Sequence, residues 1–267
     1  MLLLFCFLFG LALLVSAIGF YRFIYFISVG YGFAITGMAI FLTVYFREQI
    51  TLSFLLHSIL LMLYGLRLGI FLLLREYKQT YRKEMDTAKR DTSSIRGFSK
   101  IGIWITVSLL YVLMISPLAF QGSMKNQNMF FPYLGVVIMI AGILLESIAD
   151  RQKSAFKEQF PSSFCNVGLF RWSRCPNYFG EITFWTGNFI TGFAVYRGVL
   201  PWIVAAAGFC GIVFVMLVST VRLELKQEAR YGAEEVFQAY ARKVPLLFPF
   251  LPLYSLKKLS KITSLRI

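Results

Sequence analysis

Two sets of polar residues stand out in an otherwise apolar chain, and both have types and spacings that could do chemistry. The first is the stretch Gly168 to Glu181, GLFRWSRCPNYFGE, just before a long apolar run. Asn177 and Glu181 are four apart, so on a helix begun at Pro176 they share one face a turn apart. An amide and a carboxylate then stand at the mouth of a membrane helix, with Arg171 and Arg174 just outside. Guanidinium is a planar fork of donors that suits phosphate, and a helix N-terminus is itself an anion site. The second set is Tyr64 and Arg67, three apart within an apolar run. A mid-membrane arginine costs about 2.5–3.5 kcal/mol on insertion scales. Arg67 either snorkels to the interface or faces a polar cavity. In the second case a cation beside Tyr64 lowers the phenol's pKa and makes it a hydrogen-bond donor or general acid; a lone tyrosine there is otherwise an interface anchor. His57, two turns away, is a further candidate for the same cavity.

Two more stripes are polar. Glu146, Asp150, Lys153 and Lys157 follow at helical spacing, acids at the membrane boundary and bases beyond it. They form either a solvated, self-paired face or a site in which the acids take ribose or amide groups and the lysines take phosphate. In the tail, Glu224, Glu228, Tyr231 and Glu235 are placed on one helical face. Tyr240, Arg242 and Lys243 follow, and Pro245, Pro249 and Pro252 stop the helix. The ending RKVPLLFPFLP is apolar and proline-bound, and is expected to dock back on the membrane domain.

The elements that must position these residues are helices. The chain has 267 residues, 58% hydrophobic and only 15% charged, against about 25% charged in a soluble domain. Its mean hydropathy is +0.68. Several runs reach the roughly 20 apolar residues a bilayer demands. The pattern predicts an all-α integral membrane protein of about seven spans: Leu2–Ile18, Ser28–Phe46, Thr51–Leu74, Ile101–Phe120, Phe130–Ala149, Tyr178–Val195 and Val199–Val221. Met1 to Ile18 lacks a basic start and a small-residue cleavage site, so it is read as a retained span. Basic segments follow spans three, five and seven: Arg75 to Lys100, Asp150 to Arg174, and the tail from Arg222. The opposite connections hold only Arg47, Lys125 and Arg197. The positive-inside rule then places the N-terminus outside and the C-terminus in the cytoplasm. Residues 1–267 read as one membrane domain, with N-terminal helices over 1–74 and a C-terminal half over 101–267 that carries most of the polar motifs.

The net charge of +14 fits cytoplasmic loops facing anionic lipid, and nucleic acid is not an expected partner. The four cysteines form no CxxC pair and His57 is the only histidine, so neither a disulfide framework nor a metal site is expected.

GLFRWSRCPNYFGEITFWTG resembles the signature of the steroid 5-alpha-reductase superfamily, closest to the branch whose usual form is Ser-Arg-His-Pro-Asn-Tyr-Phe-Gly-Glu. The LYGLRLGIFLLLRE pattern and the tail with Tyr240 and Pro249 are similar too. The resemblance implies a membrane oxidoreductase acting on CH–CH groups, which uses NADPH to reduce a carbon–carbon double bond conjugated to a carbonyl in a steroid-like or other lipid. It implies that Asn177 and Glu181 contact the nicotinamide end, with Tyr178 between them. Asp150 and Lys157, with Arg171 and Arg174, would hold the adenosine and phosphates, with Glu224 and Tyr240 of the tail also on the cofactor side. Tyr64, with Arg67, would be the catalytic tyrosine that meets the substrate carbonyl. Conjugate reduction fits these residue types, because enolate charge builds on the carbonyl oxygen and a preorganised donor there stabilises it. No Gly-x-Gly-x-x-Gly follows a strand, so the cofactor site is not of the Rossmann kind. Three positions depart from the superfamily. Cys175 replaces the usual histidine, Glu146 stands where asparagine is typical, and no acid matches the partner of the substrate tyrosine. Two other functions remain open: an isoprenylcysteine-methyltransferase-like enzyme using S-adenosylmethionine, and a non-catalytic lipid-binding relative. The expected partners are a hydrophobic lipid substrate and membrane lipids, in a bacterial inner membrane or the endoplasmic reticulum.

Overall fold

A computed structural model describes residues 1–77, 97–123 and 129–258, and these contain helices and turns but no strand. Eight α-helices follow in order: α1 Leu2–Ser16, α2 Val29–Tyr45, α3 Leu52–Tyr77, α4 Gly97–Ser123, α5 Phe130–Gln159, α6 Pro176–Thr191, α7 Val199–Tyr231 and α8 Glu235–Lys243. Most of the basic loop expected between α3 and α4, together with Lys125 and the last nine residues, lies outside the described residues.

Among the described residues, six helical segments, those built on α1 to α5 and α7, are long and apolar enough to cross a membrane. By that measure the chain is a multi-pass membrane protein. The expected sixth span is shorter than the pattern predicts. Its helix, α6, has 16 residues, or about 24 Å at 1.5 Å per residue, against a hydrocarbon core of about 30 Å. A single 3₁₀ turn, Gly192–Ala194, continues it. Two helices are longer than the apolar pattern predicts. α5 runs through the charged residues to Gln159, and α7 runs to Tyr231. Neither extension contains Pro or Gly, so nothing stops the helix where the membrane ends. The tail departs in a second way: α7 ends at Tyr231, and a turn at Gly232 and Ala233 separates it from α8. Glu235 therefore does not continue the face of Glu224 and Glu228.

The chain divides into two compact units, Met1–Val137 with Thr186–Cys210, and Ile138–Trp185 with Gly211–Ile267. In the first, α2 packs most extensively on α3. Small residues permit this: a Cβ on Gly32 would lie 2.6 Å from the Gly65 carbonyl oxygen and 2.9 Å from the Gly69 nitrogen. Lipid offers no hydrophobic drive between helices, so close backbone packing and polar contacts supply the attraction. Ser16 and Ser108 hydroxyls meet at 2.9 Å between α1 and α4, and Trp104 Nε1 donates to Leu13 O at 3.0 Å. Pro117 sits inside α4 and removes the donor that Leu113 O would have had. Ser116 Oγ donates to that carbonyl at 2.7 Å instead, and Asn188 Nδ2 takes the neighbouring Met114 O at 2.9 Å. In the second unit, α5 and α6 also meet through glycine, since a Cβ on Gly180 would lie 2.6 Å from the Glu146 nitrogen. Phe164, Tyr231 and Phe237 form a buried aromatic cluster with Tyr240 packed against it.

Candidate functional site

In the second unit the polar stretch begins at a glycine the backbone requires. Gly168 has φ +57, a left-handed conformation that other residues resist. Gln152 Oε1 of α5 accepts the next N–H, that of Leu169, at 2.9 Å. The chain turns through residues 168–171, leaves Arg171 and Trp172 exposed, and buries Ser173, Arg174 and Cys175. α6 then starts at Pro176, where a missing N–H costs nothing.

Arg174 and Glu224 are each 3% exposed and approach to 3.9 Å, a charge contact rather than a hydrogen bond. Both are committed to the tail. The Arg174 backbone N–H donates to Pro245 O at 2.9 Å, and its guanidinium donates to Tyr254 O. Glu224 Oε2 accepts the Leu256 N–H at 2.9 Å, and Ser173 Oγ donates to Leu247 O at 2.9 Å. With Val244, Leu246 and Leu247 buried, the segment after α8 is fastened along Ser173 and Arg174, as its apolar, proline-bound sequence predicts.

Asn177 Oδ1, Arg174 Nε and Gln227 Oε1 are buried without a hydrogen-bond partner among the described residues. Gln227 follows Glu224 by three on α7, a same-face spacing, and Glu224 touches Arg174. A buried polar atom left unpaired costs about 1–3 kcal/mol, so one N–H and two amide oxygens in this state suit a ligand that both donates and accepts. Glu146 and Glu181 are also buried, at 4% and 6% exposure. Glu146 lies beside Gly180, next to Glu181.

Lys157 is engaged by the chain itself: Nζ donates to Ser163 O at 2.6 Å and to the Tyr231 hydroxyl at 2.8 Å. It secures the turn after α5, together with Arg230, which donates to Pro161 O at 3.1 Å. Asp150 and Lys153 are half-buried on the same helix, and Tyr178 is half-buried at the start of α6. Tyr240 donates to Phe170 O at 2.7 Å, and burial holds its phenol well above the usual tyrosine range. Burial likewise pushes the Cys175 thiol up to about 12, so it stays protonated and behaves as a small apolar side chain.

In the first unit Tyr64 is fully buried and its hydroxyl lies 3.1 Å from that of Tyr31 on α2. Arg67 is half-buried, with its guanidinium carbon 5.9 Å from the Phe71 ring centroid. His57 belongs to a different set. Its ring nitrogens lie 2.8 Å from Gln121 Oε1 and 2.9 Å from Asn188 Oδ1, which ties α3 to α4 and α6.

Residues 15–244 match the profile of a family described as "Protein of unknown function (DUF1295)". The chain belongs to that family. It is a steroid 5-alpha-reductase-like family. No curated protein and no solved structure matches the chain. The DUF1295 match covers α2 to α8 and both clusters. Three features of these clusters were not anticipated from this DUF1295 sequence. Gln227 carries a signal, its three-residue spacing from Glu224. The Tyr31–Tyr64 pair and the His57–Gln121–Asn188 set join helices far apart in sequence, and no local pattern announces them.

Proposed function

We propose that the chain is a membrane reductase that uses NADPH to reduce a carbon–carbon double bond conjugated to a carbonyl in a steroid-like or other lipid. The observation that carries this reading is that Arg174 Nε, Asn177 Oδ1 and Gln227 Oε1 are each buried without a hydrogen-bond partner among the described residues. One N–H and two amide oxygens complement a primary carboxamide, the group that distinguishes a nicotinamide ring. The residues present fit such a cofactor. Asn177 and Gln227 would take its amide hydrogens and Arg174 Nε its amide oxygen. Glu181 would stand at the same end, and exposed Arg171 is placed for phosphate. Asp150, Lys153 and Lys157 are spaced for the sugar and phosphate parts, with Lys157 exchanging a carbonyl for a phosphate oxygen. When bound, NADPH supplies the hydride. The chain's own contribution to the chemistry would be Tyr64, donating a hydrogen bond to the carbonyl oxygen on which enolate charge develops. The proposed orientation has the N-terminus outside and the cofactor residues in the cytoplasm, in a bacterial inner membrane or the endoplasmic reticulum. The finer placement is in the Ser-Arg-His-Pro-Asn-Tyr-Phe-Gly-Glu branch, with Cys175 in the histidine position.

The test is thermal shift of the detergent-purified protein with NADPH, NADH and S-adenosylmethionine. A ligand at a hundredfold its Kd adds about 2.7 kcal/mol to the folded state. NADPH alone should stabilise the wild type, and Asn177→Ala and Gln227→Leu should each weaken that response. Stabilisation by S-adenosylmethionine would replace the reductase with a methyltransferase, and a response to none of the three would favour a non-catalytic lipid-binding role.

A further inference from the structure

The segment after α8 carries an apolar tip on a closed and buried base. Leu246 N–H donates to Leu253 O at 2.8 Å and Leu251 N–H donates to Phe248 O at 3.2 Å, and Val244, Leu246 and Leu247 are buried. Pro249 and Pro252 bracket the tip and restrict its backbone. At the tip itself Phe250 is 88% exposed and Leu251 54% exposed. Trp172, 66% exposed, precedes Ser173, whose hydroxyl donates to Leu247 O at 2.9 Å. A folded loop therefore holds large apolar side chains outside its own core.

The contacts of this segment fix its level on the helices. Leu256 N–H donates to Glu224 Oε2 at 2.9 Å, and Glu224 lies just past Arg222, the first charge after the apolar run of α7. Phe248 meets Phe179, in the first turn of α6, edge-on with centroids 6.1 Å apart. The segment thus lies at the level where the apolar run of α7 ends. Its charge has one sign: after Glu235 the sequence holds six Lys or Arg and no Asp or Glu. Lys257 pairs with Glu228, whereas Arg242, Lys243 and Lys258 are exposed. Exposed apolar patches serve protein partners as well as membranes. The level at the end of α7 and the charge of one sign favour lipid, because apolar insertion and attraction to anionic headgroups together bind a chain to a bilayer interface.

We propose that Phe250 and Leu251 insert into the leaflet at this end of the helices, with Trp172 at headgroup level, and that Arg242, Lys243 and Lys258 bind the phosphates of its anionic phospholipids. Residues 244–258 are then held from two sides, by Ser173, Arg174 and Glu224 on the protein and by the bilayer. This contact depends neither on the proposed reductase nor on which side of the membrane this end faces.

The test uses the full-length chain with Phe250→Trp in nanodiscs, its emission taken as the difference from the wild type, which has four tryptophans. The quenchers are phosphatidylglycerol and phosphatidylcholine, each brominated high in its acyl chains and diluted to the same fraction in plain phosphatidylcholine. Phe250→Trp should leave the melting temperature unchanged, because the side chain it replaces is almost wholly exposed. The added emission should be quenched by bromine and spared by aqueous acrylamide, and Leu251→Trp should give the same result independently. Brominated phosphatidylglycerol should reach half-quenching at about one fifth of the fraction needed with brominated phosphatidylcholine, as about 1 kcal/mol of attraction to a basic side chain implies. Arg242→Gln, Lys243→Gln and Lys258→Gln combined in the Phe250→Trp protein should remove that difference and keep the quenching by bromine. Emission quenched by acrylamide and not by bromine in both tryptophan variants would overturn the proposal and leave the tip as a surface for another protein. Equal quenching by the two lipids before the basic residues are changed would overturn the assignment of the bases to phosphate. The NADPH response of the same preparation is a separate readout, so the failure of either reading leaves the other standing.

Discussion

Replacing Glu224 with alanine isolates the energetics of the buried pair. Arg174 is 3% exposed and its nearest opposite charge is Glu224 Oε1 at 3.9 Å. At an effective dielectric of about 20 that separation corresponds to about 4 kcal/mol of attraction. Glu224→Ala also removes the acceptor of the Leu256 N–H, worth about 1 kcal/mol. Against these losses, the mutant no longer desolvates a carboxylate. The net cost is therefore that of leaving one partner of a buried pair alone, about 3–5 kcal/mol. By the scaling of soluble domains of 150–250 residues, about 2–4 °C per kcal/mol, this is a fall in melting temperature of roughly 6–20 °C. The assay is thermal unfolding in detergent, followed by tryptophan fluorescence. Glu224→Gln, which keeps an acceptor for Leu256, should fall between wild type and alanine. The apolar double variant Arg174→Met with Glu224→Leu should recover most of the loss, because removing both charges also removes both desolvation costs. If Glu224→Ala melts like the wild type, or the double variant is as unstable as the two singles added together, the two residues are not an energetic pair.

Three further outcomes follow from the same geometry. Gly32→Leu should abolish the folded protein in detergent, since the Gly65 carbonyl lies 2.6 Å from where even a Cβ would stand; a monodisperse, stable Gly32→Leu protein would refute the close α2–α3 contact. His57→Phe should cost about 2–6 kcal/mol by stranding the Gln121 and Asn188 amide oxygens, and the melting curve should show it, while His57→Gln should lose less. Iodoacetamide at pH 8 should spare buried Cys175 in the folded protein and label it once the protein is denatured, as mass spectrometry can read. Because burial raises the Cys175 thiol from 9.0 to about 12, the folded chain holds that proton where the unfolded chain releases it. Its contribution to stability is complete below about pH 9 and is lost as the pH rises towards 12.

The helices were legible because their determinants are local. Apolar runs bounded by Arg47, Lys125 and Arg197 set α1 to α5 and α7 to within a few residues at their membrane ends, and Pro176 marked the start of α6. Charge does not end a helix, so Asp150 to Lys157 and Arg222 to Arg230 simply continued α5 and α7. The stop at Tyr231 came from Gly232. The span expected over residues 178–195 came out as a 16-residue helix with a 3₁₀ turn, because Gly192 lies inside the apolar run that suggested a longer one.

The candidate site was legible where its spacing is helical and illegible where it depends on tertiary contact. Asn177, Glu181, Glu146 and Glu224 were chosen from face spacing, and the second unit buries the three acids and the amide oxygen of Asn177. What Arg174 and Lys157 do could not be read in that way. Both have the chemistry of phosphate ligands, yet Arg174 holds Pro245 and Tyr254, and Lys157 holds Ser163 and Tyr231. A basic side chain near a membrane surface has backbone carbonyls as competitors for any anion, and only the fold decides between them. The same reasoning ranks the tests. Arg174→Lys keeps the charge but loses the fork that reaches Tyr254 and the Nε–H that has no partner among the described residues. If its guanidinium serves only the tail, Arg174→Lys should lower the melting temperature and leave the NADPH response of the folded protein unchanged. If Nε meets a carboxamide as proposed, Arg174→Lys should weaken NADPH binding by about as much as Asn177→Ala does. The two variants measured side by side therefore separate a strap residue from a ligand residue.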